Sequence, residues 1–281
     1  MVAITYQSLT DEIRRQQKLS KSIAADQAAI STGIKLLTPS QDPQSWVQVS
    51  EIGRAQAQQA AWTANVSYGQ TRAAKAESNL DQLNNLMARA QELLISGSTS
   101  ALDDAGKKAV ITELQGLRAS VSELLNETDY QGLPVFDDTS SVQVPVSRGI
   151  SIDVVGTRQQ VSEGIDVNGT AMSLDDMLAT AISSIETGDD ATRQTALVAV
   201  KAGIDHINVQ QSLQGIRGNR LDAAKDRLTE TDLNLSERRS TLESTDLTET
   251  LAGLQQKLLS LQAAQAAFAR INQQSLFDLL K

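Results

Sequence analysis

Leu247, Leu251, Leu254, Leu258, Leu261, Gln265 and Phe268 follow one another by fours and threes without a slip, the spacing of a helix that lays one face along helical partners. Leu9, Ile13, Gln16, Leu19, Ile23, Gln27, Ile30, Ile34 and Leu37 keep the same near-3.5 period towards the other terminus, with Gln16 and Gln27 as polar interruptions. Two stripes of one type predict terminal helices that pair and assemble. An ordinary bundle whose first and last helices pack carries the same pattern, and periodicity does not separate the two.

All four prolines sit in two short stretches, Pro39 with Pro43 and Pro134 with Pro145, which leaves the long intervals free to be helical. Asp42 is a good N-cap with Pro43 at the first helical position, and one phase then holds from Ile52 through Gln59, Trp62, Val66 and Gly69 to Leu94. That is one helix of roughly 50 residues, about 75 Å at 1.5 Å per residue. Ser96 to Ser100 breaks it. A second helix, opened by Asp103 and Asp104, keeps Val110, Leu114, Leu117, Val121 and Leu124 in phase, so the two read as an antiparallel helical hairpin.

Beyond residue 133 the period changes from 3.5 to 2. Val142, Val144 and Val146 alternate, as do Ile150, Ile152 and Val154, around Ser147, Arg148 and Gly149, which predicts a small hairpin with Pro145 on an edge strand. So little β structure must lean on the helices or on a neighbouring subunit. Ser173 caps a short helix carrying Leu174, Met177, Leu178, Ala181, Ile182 and Ile185, and then Val200, Ile207, Gln214, Leu221, Leu228, Leu235 and Leu242 recur every seven residues. The step of five from Leu242 to Leu247 is a phase shift that marks a bend or border.

These borders predict arm helices at 1–38 and 246–281 that pair with each other, a central helical bundle at 42–130 and 173–245, and a small β-rich insert at 131–172. The fold class is mainly α, a long helical rod with a coiled-coil-like terminal bundle and a small β insert. Only 3% of the 281 residues are aromatic, so the core is built of Leu, Ile, Val and Ala, as suits thin helical layers.

Charge and chemistry narrow the function by exclusion. A net charge of -9 argues against a nucleic-acid partner, whose affinity rests on clustered Lys and Arg. No stretch approaches the roughly 18 apolar residues of a membrane helix, and the first residues lack the apolar core of a cleaved signal peptide, so no membrane insertion is expected. There is no cysteine, and the single histidine, His206, makes no histidine metal cluster. On a helix beside Ile204 and Ile207, His206 reads as a packed or surface residue with no evident catalytic partner. The pairs Asp103-Asp104, Asp175-Asp176 and Asp189-Asp190 stand at helix starts, where capping and the helix dipole account for them. Asp166, Asn168 and Gly169 echo a calcium loop but lack its spacing and its bidentate Glu, leaving a β-turn. Gly215 and Gly218 follow no strand, and in a long helix they suggest close approach or bending. The chain is expected to be no enzyme, with no catalytic residue, cofactor or metal.

Ile30, Ser31, Thr32, Gly33, Ile34, Lys35, Leu36, Leu37, Thr38, Pro39, Ser40, Gln41, Asp42 and Pro43 carry a resemblance to the flagellin superfamily, specifically to its hook-filament junction members. Flagellin itself usually has an Asn-Ser-Ala-x-Asp-Asp type stretch here, whereas Leu-Thr-Pro-Ser-x-Asp-Pro is similar to the junction type. Arg89 to Leu94, the helix over 110–128, the turn from Tyr130 to Phe136 and the ending Ser275, Leu276, Phe277, Asp278, Leu279, Leu280 extend the resemblance. It departs at Gln41, where an acidic residue is common, and at Gly132 to Val135, where a Phe-Ala-Gly type turn is more usual.

The resemblance implies an extracellular structural subunit at the hook-filament junction of the bacterial flagellum, exported through the flagellar type III apparatus without a cleaved signal peptide and with an export chaperone. Its implied partners are copies of itself, the preceding hook-associated junction protein and flagellin. A flagellin-type filament subunit is the alternative, and a cytoplasmic signalling coiled coil a more distant one. The candidate assembly interface is Leu9, Ile13, Leu19, Ile23, Ile30 and Ile34 with Leu247, Leu251, Leu254, Leu258, Leu261 and Phe268. Gly33, Thr38, Pro39, Ser40, Asp42 and Pro43 form the linker, a helix stop followed by an N-cap. The apolar surface that two isolated arms can bury falls short of the entropy of ordering them, so the arms are expected to order between subunits.

Overall fold

The computed structural model describes residues 2–97, 103–138, 140–187 and 190–278, with only the backbone of 2–9, 187 and 271–278. Part of the predicted break at Ser96 to Ser100, and Asp189, therefore lie outside the described residues. Seven α-helices stand among them: α1 (Val2–Thr32), α2 (Pro43–Gly97), α3 (Asp104–Leu125), α4 (Arg158–Ser162), α5 (Leu174–Thr187), α6 (Asp190–Glu243) and α7 (Leu247–Asp278). Two antiparallel two-stranded sheets, β1 (Val142–Ser147) with β2 (Ile150–Val155) and β3 (Ile165–Val167) with β4 (Thr170–Met172), complete a mainly α chain of long helices. Contacts divide it into two compact units, Met1–Ala57 with Asp232–Lys281, and Gln58–Thr231. The division falls inside α2 and α6, while the predicted breaks near residues 38–42 and 242–247 lie within the first unit.

In the second unit α2 and α6 run antiparallel, tied by Gln70 to Asp222 (2.6 Å), Gln211 to Asp81 (2.7 Å) and Asn84 to Asn208 (3.0 Å). The heptad positions Val200, Ile207, Gln214, Leu221 and Leu228 are all buried, facing Val66, Ala73, Ala76, Leu80, Leu83 and Met87 in one core. Gln214 survives at such a position because its Nε2 donates to the Val154 carbonyl at 2.8 Å, joining α6 to β2. α3 is capped by Asp103, whose side chain accepts from the Gly106 N–H, and it lies antiparallel to α2 through Arg89 to Glu113 and Asn79 to the Leu124 carbonyl.

The β insert leans on the helices. Val144, Val146, Ile152 and Val154 are buried in the shared core, as the alternation predicted, while Ile150 at the turn is exposed. Gly69 lets the sheet come close: a Cβ there would sit 3.1 Å from Val144 Cγ2 and 3.2 Å from Leu221 Cδ2. The Asn168-Gly169 turn has both residues at positive φ, which makes 165–172 a second hairpin rather than an isolated turn.

Close helix approach occurs at Gly203, not at Gly215 and Gly218. A Cβ on Gly203 would lie 2.8 Å from Met87 Cε and 2.9 Å from Met177 Sδ, whereas nothing described lies within 4 Å of one on Gly215 or Gly218. Gly203→Val should therefore lower stability by about 1–3 kcal/mol through overpacking. Gly215→Ala should raise it by about 0.5–1 kcal/mol through helix propensity, both read by thermal unfolding of the second unit.

In the first unit α1 packs antiparallel on α7. α1 ends where Gly33 takes φ +72°, its N–H donating to the Ala29 carbonyl at 2.8 Å, a left-handed C-cap that a side chain would strain. The chain then pairs with the end of α6: the Lys35 N–H donates to the Glu243 carbonyl at 2.7 Å and the Thr245 N–H to the Gly33 carbonyl at 3.0 Å. The phase shift between Leu242 and Leu247 is thus a true helix break. α7 restarts there because Asp246 accepts from the Thr248 and Glu249 N–H groups at 2.9 and 3.1 Å.

Candidate assembly surface on the terminal helices

The predicted interface residues fall into two sets. On α1, Ile23 is buried and Leu19 and Ile30 are half-buried, whereas Ile13 is exposed and the Leu9 side chain lies outside the described residues; Ile34, half-buried, stands past the helix end in a bridge with Ser244. On α7, Leu254, Leu261 and Phe268 are half-buried with Lys257 and Ala264, and form the seam against α1. Leu247, Leu251 and Leu258 are 53%, 49% and 38% exposed. At 100° per residue Leu247, Leu258 and Leu251 lie about 20°, 40° and 60° round the helix from Leu254, on the side away from Lys257 and Ala264. One apolar stripe therefore serves two surfaces: α1 covers the first, and no described residue covers the second.

The seam also departs from the stripe in its polar positions. Gln27 and Gln265, read as seam interruptions, are exposed, because an undistorted 3.6-residue helix rotates away from a 3.5-residue repeat. Asp26 takes the place next to Gln27 and pairs with Lys257 at 2.7 Å, half shielded from solvent. This ion pair across the arms had no marker in the sequence beyond two charged residues within apolar stripes. Gln16 does stay on the seam, with its Nε2 buried and unpartnered among the described residues.

The linker residues build a rigid corner. Gln41 Oε1 accepts from the Leu37 and Thr38 N–H groups at 2.6 and 2.9 Å, so the residue that departs from the acidic type does an acceptor's work. Thr38 and Ser40 hydroxyls meet at 3.1 Å, and Pro39 and Pro43 hold the chain on either side. Asp42 caps α2: its carboxylate accepts from the Gln44 and Ser45 N–H groups and from the Ser45 hydroxyl at 2.6 Å. The Ser45 hydroxyl and N–H hold its carboxyl below the ordinary carboxylate range. Leu36 within the corner and Val49 beyond it on α2, neither read as a core residue in the sequence, are buried.

The residues weighed for chemistry are structural. His206 Nε2 donates to the Gln160 carbonyl at 2.8 Å. Asp166 accepts from the Gly169 N–H at 2.9 Å and closes its turn, and Asp176 exchanges caps with Ser173. Among the described residues no group of three or more His, Cys, Asp or Glu could hold a metal, and no helix is long and apolar enough to cross a membrane.

Asp175 makes a two-toothed pair with Arg118 at 2.5 and 2.6 Å, which holds its carboxyl below the ordinary range. A carboxyl whose folded pKa is depressed contributes stability above its unfolded pKa and loses it as pH falls through the folded value. For this exposed pair the contribution is about 0.2–1 kcal/mol. Asp175→Asn should therefore destabilise α3 against α5 at pH 7, and the difference from wild type should disappear as pH falls through the depressed pKa of Asp175 in denaturant titrations.

Residues 4–141 match the bacterial flagellin N-terminal helical region and residues 197–280 the bacterial flagellin C-terminal helical region, and the chain belongs to the flagellin family. It is similar to Flagellar hook-associated protein 3 of Escherichia coli (strain K12), 24% identical over 288 residues that cover 90% of this chain and 91% of that one. It is also similar to the flagellin of Halalkalibacterium halodurans, 23% identical over 71% of this chain and 69% of that one. Its fold matches that of a putative flagellar hook-associated protein from Vibrio parahaemolyticus, with a TM-score of 0.66 at 19% identity over 73% of this chain and 100% of that one. The chain is a structural protein of the bacterial flagellum.

Proposed function

We propose that the chain joins hook to filament, its copies assembling as a ring through α1 and α7. The observation that carries this is the exposed row Leu247, Leu251 and Leu258 beside a seam that α1 already fills: a helix with a second apolar face has a second helix to meet. In this reading the arms at 1–38 and 246–281 make the ring contacts. The neighbours are copies of itself, the preceding hook-associated junction protein and flagellin. Export runs through the flagellar type III apparatus without a cleaved signal peptide, with a chaperone holding the C-terminal segment.

The junction reading is preferred to a filament subunit on Leu37 to Pro43 and on the likeness to a hook-associated protein over nine-tenths of the chain. Deleting the gene separates the two. Hooks without filaments, with flagellin released into the medium, are expected; normal filaments would overturn the junction role. Loss of filament mass with no flagellin in the medium would favour the filament subunit.

A further inference from the structure

Ten asparagines stand in the chain, and Asn168 alone precedes a glycine. The pair matters because a glycine nitrogen, unscreened by a side chain of its own residue, reaches the preceding asparagine amide most freely. In that reaction the deprotonated Gly169 nitrogen bonds to Asn168 Cγ, the Cγ–Nδ2 bond breaks, and ammonia leaves. Solvent water then adds to a carbonyl of the five-membered succinimide and opens it. Breaking the new Cγ–N bond gives aspartate, and breaking the original backbone C–N bond gives isoaspartate. The sum is amide and water to carboxylate and ammonium. The other nine asparagines lie in α2, α6 or α7, or at Asn126 just after α3, where the next N–H is turned to a carbonyl behind it in the helix.

Asn168 sits instead at the exposed tip of the β3–β4 hairpin, and with φ of +53° and +87° it and Gly169 form the two-residue loop between Val167 and Thr170. Closed, this loop resists the reaction. Its first residue has ψ near about +30°, the mirror image of a type I turn, which turns the Gly169 nitrogen away from the Asn168 Cβ. The backbone has to swing open before the ring can close. Asp166 opposes that opening: its Oδ1 accepts from the Gly169 N–H at 2.9 Å, a donor that the Val167 to Thr170 pairing leaves out of the strand ladder. The same contact holds the proton that the nitrogen must lose before it attacks.

We propose that Asn168 is a deamidation site of this chain and that Asp166 latches the loop against it. The modification reaches the core. Isoaspartate adds a methylene to the main chain of a two-residue loop, so Val167 and Thr170 no longer pair, and Ile165 and Val167, buried at 4% and 6%, lose the register that points them inward. Aspartate at the same place keeps the main chain as it is and tolerates the left-handed conformation.

The test holds the full chain at about pH 8 and 37 °C and follows each asparagine by peptide mass spectrometry, with isoaspartyl methyltransferase labelling to separate the two products. Asn168 should convert first. Folded wild type should convert about tenfold or more slowly than the same chain in 6 M guanidinium, because only the opened loop reacts. Asp166→Ala should convert about fivefold faster than wild type when folded and at the wild-type rate in guanidinium. Asp166→Asn, which keeps an acceptor oxygen, should lie nearer wild type, and circular dichroism checks that both variants are folded. Aged protein rich in isoaspartate should unfold at a lower temperature than fresh protein, whereas Asn168→Asp should not. Earlier conversion at another asparagine, or equal rates folded and in guanidinium, would overturn the proposal. So would folded Asp166→Ala that converts no faster than wild type, or a difference between the two that persists in guanidinium. An isoaspartate form as stable as fresh protein would refute the effect on the hairpin.

Discussion

Arg72→Met should cost the second unit about 3–5 kcal/mol, the effect of breaking a buried ion pair and leaving its partner unmatched. Arg72 is 6% exposed on α2 and ties down the turn after α3, beside the contacts of Lys75 and Asn79 to Glu127. Its Nη1 donates to Asp129 at 2.7 Å and to the Tyr68 hydroxyl at 3.2 Å, and its Nη2 to the Pro134 carbonyl at 2.5 Å. Asp129 in turn accepts from the Gln131 and Leu133 N–H groups at 2.8 and 3.0 Å, closing a turn through Gly132 at φ +79°. Without the guanidinium the carboxylate stays buried against an apolar stem, and Val135 and Phe136, both core residues, lose the anchor that aims them inward. Urea unfolding read at Trp62, with Trp46 replaced by Phe, measures the loss. A change under 1 kcal/mol would mean that water satisfies Asp129 and that the turn folds without Arg72.

Nothing in the pattern of the chain marks Arg72. A charged residue on a long polar helix reads as a solvated face, and beyond Tyr68 its partners lie 57 and 62 positions away, out of reach of any local spacing rule. The helices were legible for the opposite reason. From Gln59 to Leu94 nearly every in-phase position of α2 is buried, since a helix with one partner face must repeat it every three or four residues. The first hairpin was legible too, because six alternating residues per strand outlast chance. The second was read only as a turn: three residues per strand are too few to show a period, although Asn168-Gly169 is a strong hairpin signal. The Thr157 to Gln160 capping box that starts α4 escaped for similar reasons, its helix being five residues long. At the candidate site the stripe pointed to α1 and α7, which pack on each other. It could not say that Leu254 is covered while Leu251 is exposed, because a heptad records how wide an apolar face is and not how much of it one partner helix covers.

That division carries the largest functional prediction. Leu247→Ser/Leu251→Ser/Leu258→Ser removes three exposed side chains and leaves Leu254, Leu261 and Phe268 of the seam in place. The monomer should keep its helicity and its unfolding midpoint to within about 0.5 kcal/mol per site, as exposed substitutions do. In cells the same variant should leave hooks bare, because the copies lose the face on which they meet. Leu254→Ala/Leu261→Ala should behave in the reverse order: the arms lose helicity in the monomer first, and attachment fails as a consequence. Both variants should leave the Trp62 transition of the second unit unchanged, since the two units have separate cores. Wild-type motility in the serine variant would place the assembly contact elsewhere, and a monomer that loses helicity with those serines would mean that α1 covers the whole stripe.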